Sequence, residues 1–186
     1  MKTQTHLKFA KKLADQYLPD SSAYDRLMFI IGSVTPDINP FSYLKGFSVK
    51  PFFGHNWGNR RDYLSSGLRD LLMGRLSYFS LGQLVHFICD AFTFTHNITY
   101  KGGLYEHSRY EKALHTLFEK LDFSKEYPDL HLNINDGLNS LHEQYLSQPQ
   151  GCENDLRFIM QTVHYALKHG IPHARKHTTM PTNTAR

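Results

Sequence analysis

The segment Leu84-Val85-His86-Phe87-Ile88-Cys89-Asp90-Ala91-Phe92 places two polar residues in a nearly continuous apolar run. His86 and Asp90 are four residues apart, so an α-helix puts both side chains on one face. The apolar neighbours predict a helix that is buried on most of its sides. A buried carboxylate is costly unless it is paired or bound to a cation. Alone, this pair is more often a core histidine bonded to an aspartate than part of a metal site.

A second pair with the same spacing changes that weighing. His107 and Glu111 again lie four residues apart on a predicted helix, where a solvated surface pair is the ordinary alternative. His96 lies between the two pairs. Together the five residues offer nitrogen and oxygen ligands of the kind that zinc binds at about 2.0–2.2 Å. The pattern predicts two adjoining metal-ligand clusters.

The remaining sequence has helical periodicity nearly throughout, with no convincing alternating strand pattern. We expect an all-α fold: a single domain of about seven helices around a multinuclear zinc site, with residues 1–175 as the domain and 176–186 as a polar tail. Residues 33–50 hold several Pro and Gly and predict an irregular loop. The expected helices cover about 5–17, 20–32, 56–73, 81–95, 104–121, 135–147 and 153–169.

Composition narrows the functional classes. The 186 residues carry a net charge of +4 without a polybasic block, so specific nucleic-acid binding is not indicated. The twelve histidines against two cysteines favour nitrogen and oxygen metal chemistry over a cysteine-rich structural site. The N-terminal residues lack the apolar core of a signal peptide, and no run is apolar enough to span a membrane, so we expect a cytoplasmic protein. The sequence leaves the oligomeric state open.

Three upstream residues extend the ligand set. Asp37 lies in a Gly/Pro-rich stretch, where an aspartate that caps a turn is the simple alternative. His55 follows Phe52, Phe53 and Gly54, and its simple alternatives are a residue next to a helix N-cap or a histidine packed among aromatic side chains. His6 on the first helix has the weakest independent case.

The order of these motifs resembles the zinc-dependent phospholipase C family, which is related to the trinuclear zinc nucleases of the P1 type. The resemblance rests on Thr5-His6, Gly-Ser-x-x-Pro-Asp at 32–37, His55, HxxxDxxxxxH at 86–96 and HxxxE at 107–111. It covers about residues 5 to 111. Its parts are individually weak, but the combination is specific.

The resemblance implies a ligand set residue by residue, with two zinc ions expected and a third left open. Asp37 would also be a candidate general base. The implied ligands are Asp37, His55, His86 and Asp90 for the first zinc, His96, His107 and Glu111 for the second, and His6 with a bridging Asp90 for the third.

The chain departs from the family pattern around the third zinc and the head-group pocket. Secreted members complete the third site with an N-terminal Trp, whereas this chain begins Met1-Lys2. Family members that act on phosphatidylcholine hold choline in a cage of aromatic and acidic side chains. Phe52 matches one aromatic member of this cage, but Ile38 occupies the position where a Tyr is expected.

The resemblance implies an enzyme, a zinc-dependent hydrolase of phosphodiesters in phospholipid head groups. Its substrate is therefore expected to be a phosphoester. Because the phospholipase C family is the closer resemblance, a phospholipid is the first expectation. A single-strand nuclease or nucleotidase of the P1 type is the first alternative. A metal-binding protein without catalysis is the second.

Overall fold

The computed structural model describes residues 1–38, 57–123 and 137–178, with side chains up to residue 171. Within these residues the fold is all-helical, as expected, with seven α-helices, one 3₁₀ turn and no strand. The helices are α1 (Thr3–Tyr17), α2 (Ala23–Ile38), α3 (Trp57–Leu72), α4 (Tyr78–Ala91), α5 (Leu104–Glu119), α6 (Gly137–Ser147) and α7 (Cys152–Thr178), with the 3₁₀ turn at Phe94–His96.

Helix α4 is the centre of the molecule. Apolar side chains lie on nearly all its faces, including Leu81, Leu84 and Ile88, and each is almost completely buried. Each such side chain stabilises the fold by about 1.5–3 kcal/mol relative to an exposed one. Helices α2, α3 and α7 all pack against α4, and the pair of α2 with α4 is the most extensive. The buried His86 and Asp90 are therefore held on the most enclosed helix of the domain.

Local capping chemistry accounts for several of the helix ends. Helix α1 ends at Tyr17, two residues before Pro19. The Ser22 hydroxyl accepts the backbone N–H of Asp25 at 3.0 Å and starts α2. Ser77 caps α4 in the same way through the N–H of Ser80. Because of that cap, α4 begins three residues earlier than expected.

The expected end of α2 at Gly32 is wrong, because the helix continues through Pro36 to Ile38. The loop expected from residue 33 is therefore wrong for residues 33–38. Gly32 does not terminate the helix; it allows two helices to approach. A Cβ built on Gly32 would lie 2.1 Å from the carbonyl oxygen of Phe79. The continuation carries Asp37 to the face of α4.

The expected end of the last helix at Gly170-Ile171-Pro172 is also wrong, since α7 runs to Thr178. A Cβ on Gly170 would meet the Leu71 side chain at 2.1 Å, so this glycine too marks close packing, here between α7 and α3.

The helix expected over 81–95 ends at Ala91, and His96 lies on the separate 3₁₀ turn. The Asn97 side-chain amide donates to the carbonyl oxygens of Ala91 at 3.2 Å and Thr93 at 2.9 Å. The bond to Ala91 satisfies a carbonyl at the end of α4, and the bond to Thr93 ties Asn97 to the start of the 3₁₀ turn. No helix in the described part of the chain is long and apolar enough to cross a membrane.

Candidate metal centre

The first group of potential ligands joins α1 to α4. His6 Nε2 lies 3.2 Å from Asp90 Oδ1, and His86 Nε2 lies 3.2 Å from Asp90 Oδ2. The two imidazole rings are stacked with centroids 3.9 Å apart. All three side chains are buried. The His86 and Asp90 pair on α4 is thus completed by a histidine from a different helix, α1.

The backbone fixes the orientation of His86. Its Nδ1 lies 2.9 Å from the carbonyl oxygen of Ser33 on α2, and since a carbonyl can only accept, Nδ1 carries the hydrogen. In the neutral ring, Nε2 then carries the lone pair that can bind a metal. That atom faces Asp90 and lies 3.6 Å from Asp37 Oδ1. A carbonyl that orients a histidine in this way is typical of metal sites.

The second group lies on the 3₁₀ turn and α5. Glu111 Oε1 is 3.3 Å from His96 Nε2 and 3.4 Å from His107 Nε2. The rings of His96 and His107 have centroids 5.2 Å apart. These side chains are less enclosed than the first group, and His107 is the most open at 28% exposure. Among the described residues, the second group is therefore the more exposed to solvent.

Asp90 connects the two groups. Its Oδ1 lies 3.6 Å from His96 Nδ1 as well as close to His6. The α-amino group of Met1 lies between the two groups, 2.6 Å from Asp90 Oδ1 and 3.4 Å from Glu111 Oε1. A positive charge is thus accommodated between the two carboxylates.

The electrostatics of both carboxylates favour the ionised form. Burial alone would raise the pKa of Asp90, but the Met1 amino group and the surrounding histidines hold it well below its usual range. Burial likewise opposes ionisation of Glu111, but hydrogen bonds from His107 and His96 lower its pKa. Burial lowers the pKa of His6 to about 4, which keeps its ring neutral. Neutral imidazoles and ionised carboxylates are the forms that bind metals.

The donor set fits divalent zinc. In each group the ligand atoms lie within 4.8 Å of one another, which is the arrangement that a single ion could join. The donors are imidazole nitrogens and carboxylate oxygens, which zinc accepts readily.

Comparison with known proteins agrees with this chemistry. Residues 5–152 match the family described as zinc dependent phospholipase C. The chain belongs to the zinc-dependent phospholipase C family. The match includes both ligand groups, whereas Met1 lies outside it. Neither the curated proteins nor the solved structures contain a significant match to this chain.

Membership of the zinc-dependent phospholipase C family confirms the resemblance seen in the sequence. The family consists of zinc-dependent phosphodiesterases, so membership implies an enzyme that hydrolyses phosphoesters. The structure provides two candidate metal groups within that framework.

Seven of the sequence-predicted site residues come together. His6, which the resemblance linked to a third zinc, groups with His86 and Asp90, and Asp37 lies beside them. His96, His107 and Glu111 form the second group. His55 and the predicted pocket residue Phe52 lie outside the described residues.

Three features of this family member's centre were not predicted from the sequence. The Met1 amino group lies between the ligand groups. His142 is buried and bonded to Asn97 next to His96. Asp155 is buried and bonded to Phe94 on the 3₁₀ turn. None of these has a local sequence signal, because each contact joins segments far apart in the chain.

Proposed function

We propose that this protein hydrolyses phosphodiesters of phospholipid head groups with two zinc ions. His6, His86, Asp90 and Asp37 would bind one ion, together with His55. His96, His107 and Glu111 would bind the other. The observation that carries the proposal is the contact of Asp90 with both groups, since adjoining metals can act on one phosphate.

When bound, zinc supplies Lewis acidity at the phosphate and lowers the pKa of a water molecule to about 7. The carboxylates of the site have two separate roles. Asp90 and Glu111 keep negative charge at the centre, because their pKa values are lowered. Asp37 is 9% exposed and lies at the edge of the first group, where it can accept the proton of the attacking water.

The surroundings of the second group support a lipid substrate. The segment between His96 and His107 carries three strongly exposed apolar side chains, Ile98, Leu104 and Tyr105, at 77%, 91% and 76% exposure. All three lie within nine residues of His96 in the sequence, and exposed apolar residues near a site are available to contact an apolar ligand. Such a rim suits a head group attached to acyl chains better than a free nucleotide.

The test compares purified protein on three substrates: a short-chain phospholipid, single-stranded RNA and an aryl phosphodiester, each with and without a chelator. We expect chelator-sensitive cleavage of the aryl phosphodiester and the phospholipid. RNA cleavage in preference to phospholipid would favour the P1-type alternative. Zinc-loaded protein that cleaves none of the three would falsify the enzyme proposal and leave the non-catalytic alternative.

A matched pair of variants on α5 assigns the activity to the site. His107→Ala should lower turnover by more than about 100-fold, since even the outer partners of metal ligands contribute about 10–100-fold. His115, two turns further along α5, hydrogen-bonds Thr5 and lies outside both ligand groups. We expect His115→Ala to keep turnover close to that of the unchanged protein. Equal losses in both variants would contradict the assignment.

A further inference from the structure

Asp155 is a buried acid that belongs to neither ligand group. It lies in the first turn of α7 and its side chain has no exposed surface. A buried carboxylate needs strong hydrogen bonds to offset its lost hydration. Its partners therefore show what it holds in place.

The Asp155 carboxylate accepts three hydrogen bonds, each from a different element. The Phe94 backbone N–H donates to Oδ2 at 2.9 Å, and the Tyr110 hydroxyl donates to the same oxygen at 2.8 Å. The Tyr145 hydroxyl donates to Oδ1 at 2.7 Å. The 3₁₀ turn, α5 and α6 thus converge on one side chain of α7.

Two of the three donors stand beside proposed metal ligands. Phe94 begins the 3₁₀ turn that ends at His96, and Tyr110 immediately precedes Glu111 on α5. The rings of Phe94 and Tyr110 also pack together, with centroids 5.8 Å apart. The spacing between the 3₁₀ turn and α5 is therefore set at Asp155 Oδ2. That spacing also sets the 3.3 Å approach of His96 Nε2 to Glu111 Oε1.

We propose that Asp155 is a positioning residue for the second metal group. Through Phe94 and Tyr110 it holds the 3₁₀ turn and α5 in register, so that His96 and Glu111 point at a common ion. This inference rests on the proposed function only in taking His96, His107 and Glu111 as metal ligands. Tyr145 contributes to the stability of the same carboxylate, but its helix α6 carries no ligand.

Two tyrosines provide a matched test. Tyr110→Phe and Tyr145→Phe each remove one hydroxyl from Asp155, so each variant loses one hydrogen bond to the same carboxylate. A merely structural Asp155 predicts similar consequences for both variants. A positioning role predicts that only Tyr110→Phe disturbs the metal.

The experiment titrates zinc into the full-length protein against a chromophoric chelator and records the visible spectrum of the Co²⁺-substituted protein. Tyr110→Phe should weaken one of the two ions by about 10–100-fold and leave the other within about twofold, as expected for outer partners of ligands. Its Co²⁺ spectrum should change. Tyr145→Phe should keep both affinities and the spectrum while its urea midpoint falls. Asp155→Asn should weaken the same ion at least as much as Tyr110→Phe.

Equal zinc affinities in Tyr110→Phe and Tyr145→Phe would overturn the positioning role, even if Asp155→Asn does not fold. The outcome is separable from that of the proposed function. A wild-type chain that binds two zinc ions but cleaves no phosphoester would refute the hydrolase and leave the positioning test intact. A wild-type chain that binds no zinc would overturn both.

Discussion

Asp90 is a buried carboxylate whose cost is offset by several partners rather than one. Its two oxygens contact His6, His86 and His96, and the Met1 amino group lies 2.6 Å away. Removing one partner from such a cluster leaves uncompensated charge in a water-poor place, which is strongly destabilising. The residue therefore carries both the candidate chemistry and part of the stability of the centre.

His142 is buried like Asp90, but burial keeps its imidazole neutral, whereas Asp90 is ionised. Its Nε2 lies 2.7 Å from Asn97 Oδ1, and its ring stacks on Trp57 with centroids 3.9 Å apart. Burial lowers the pKa of His142 to about 4. The titratable neighbour, Tyr145, is neutral near neutral pH, because burial raises its pKa. His142 thus holds Asn97, the residue after His96, without adding charge.

The His142 shift predicts a pH-dependent stability. The pKa is near 6.5 in the unfolded chain and about 4 in the folded one, so the unfolded chain binds more protons between these values. The contribution is complete above about pH 6.5 and is lost as the pH falls toward 4. Between pH 7 and pH 5 the loss should be about 2 kcal/mol.

Urea unfolding of the chelator-treated protein at pH 7 and pH 5 measures this contribution. In His142→Gln the decrease in unfolding free energy between the two pH values should be about 2 kcal/mol smaller than in the unchanged protein. His169 is exposed, and His169→Gln should keep the full decrease. A His142→Gln variant with the unchanged pH dependence would contradict the argument.

At the scale of elements, glycines decide how closely the ligand-bearing helices approach. A Cβ on Gly82 of α4 would lie 2.1 Å from the Phe29 carbonyl oxygen on α2, and Gly32 is its counterpart on α2. This contact brings Ser33 close enough to orient His86 and places Asp37 beside it.

Gly82→Ala should therefore destabilise the fold, although alanine is the better helix former. The new methyl group would meet backbone that cannot move without separating α2 from α4, at a cost of about 2–3 kcal/mol. Gly151, which has open space around it, provides the control. Gly151→Ala should change the unfolding free energy by less than about 1 kcal/mol. Equal urea midpoints for the two variants would show that the helix contact is not tight.

These elements also show which parts of the fold the sequence predicts. Apolar periodicity, the Ser22 cap and the helix-stopping Pro19 are local signals, so the seven helices of the described residues and most of their ends were predictable. The Pro and Gly residues of 33–50 predicted a loop, although α2 continues through Pro36 to Ile38. Gly170 was misread as a stop, because a helix-ending glycine and a helix-packing glycine have the same local pattern. Only the neighbouring helix, which local sequence does not reveal, distinguishes the two.

The candidate site divides in the same way. The pairs His86 with Asp90 and His107 with Glu111 follow from helical spacing alone. Their union with His6 and Asp37 depends on how α1 and α2 pack on α4, and only the ordered motif of the whole chain indicated it. Asp155 and the Met1 amino group act through contacts between distant segments, and no spacing predicts them.

For the whole molecule, the ligand groups connect most of the chain. The side chains come from α1, α2, α4, the 3₁₀ turn and α5, so bound metal would join five elements of the fold. A ligand that binds only the folded state stabilises it by about 2.7 kcal/mol at 100 times its Kd. Metal and fold should thus be coupled.

Zinc should therefore raise the thermal midpoint of the chelator-treated protein. For a chain of this size, about 2.7 kcal/mol per ion corresponds to roughly 5–10 °C. Mg²⁺ prefers octahedral oxygen sites and should give almost no shift at the same concentration. His107→Ala, which disrupts only the second group, should keep part of the zinc shift and lose the rest. Retention of the whole shift in His107→Ala would contradict a second site at His96, His107 and Glu111. An equal shift with Mg²⁺ would contradict sites that contain histidine ligands. In either case the stabilisation would have to come from ions bound elsewhere.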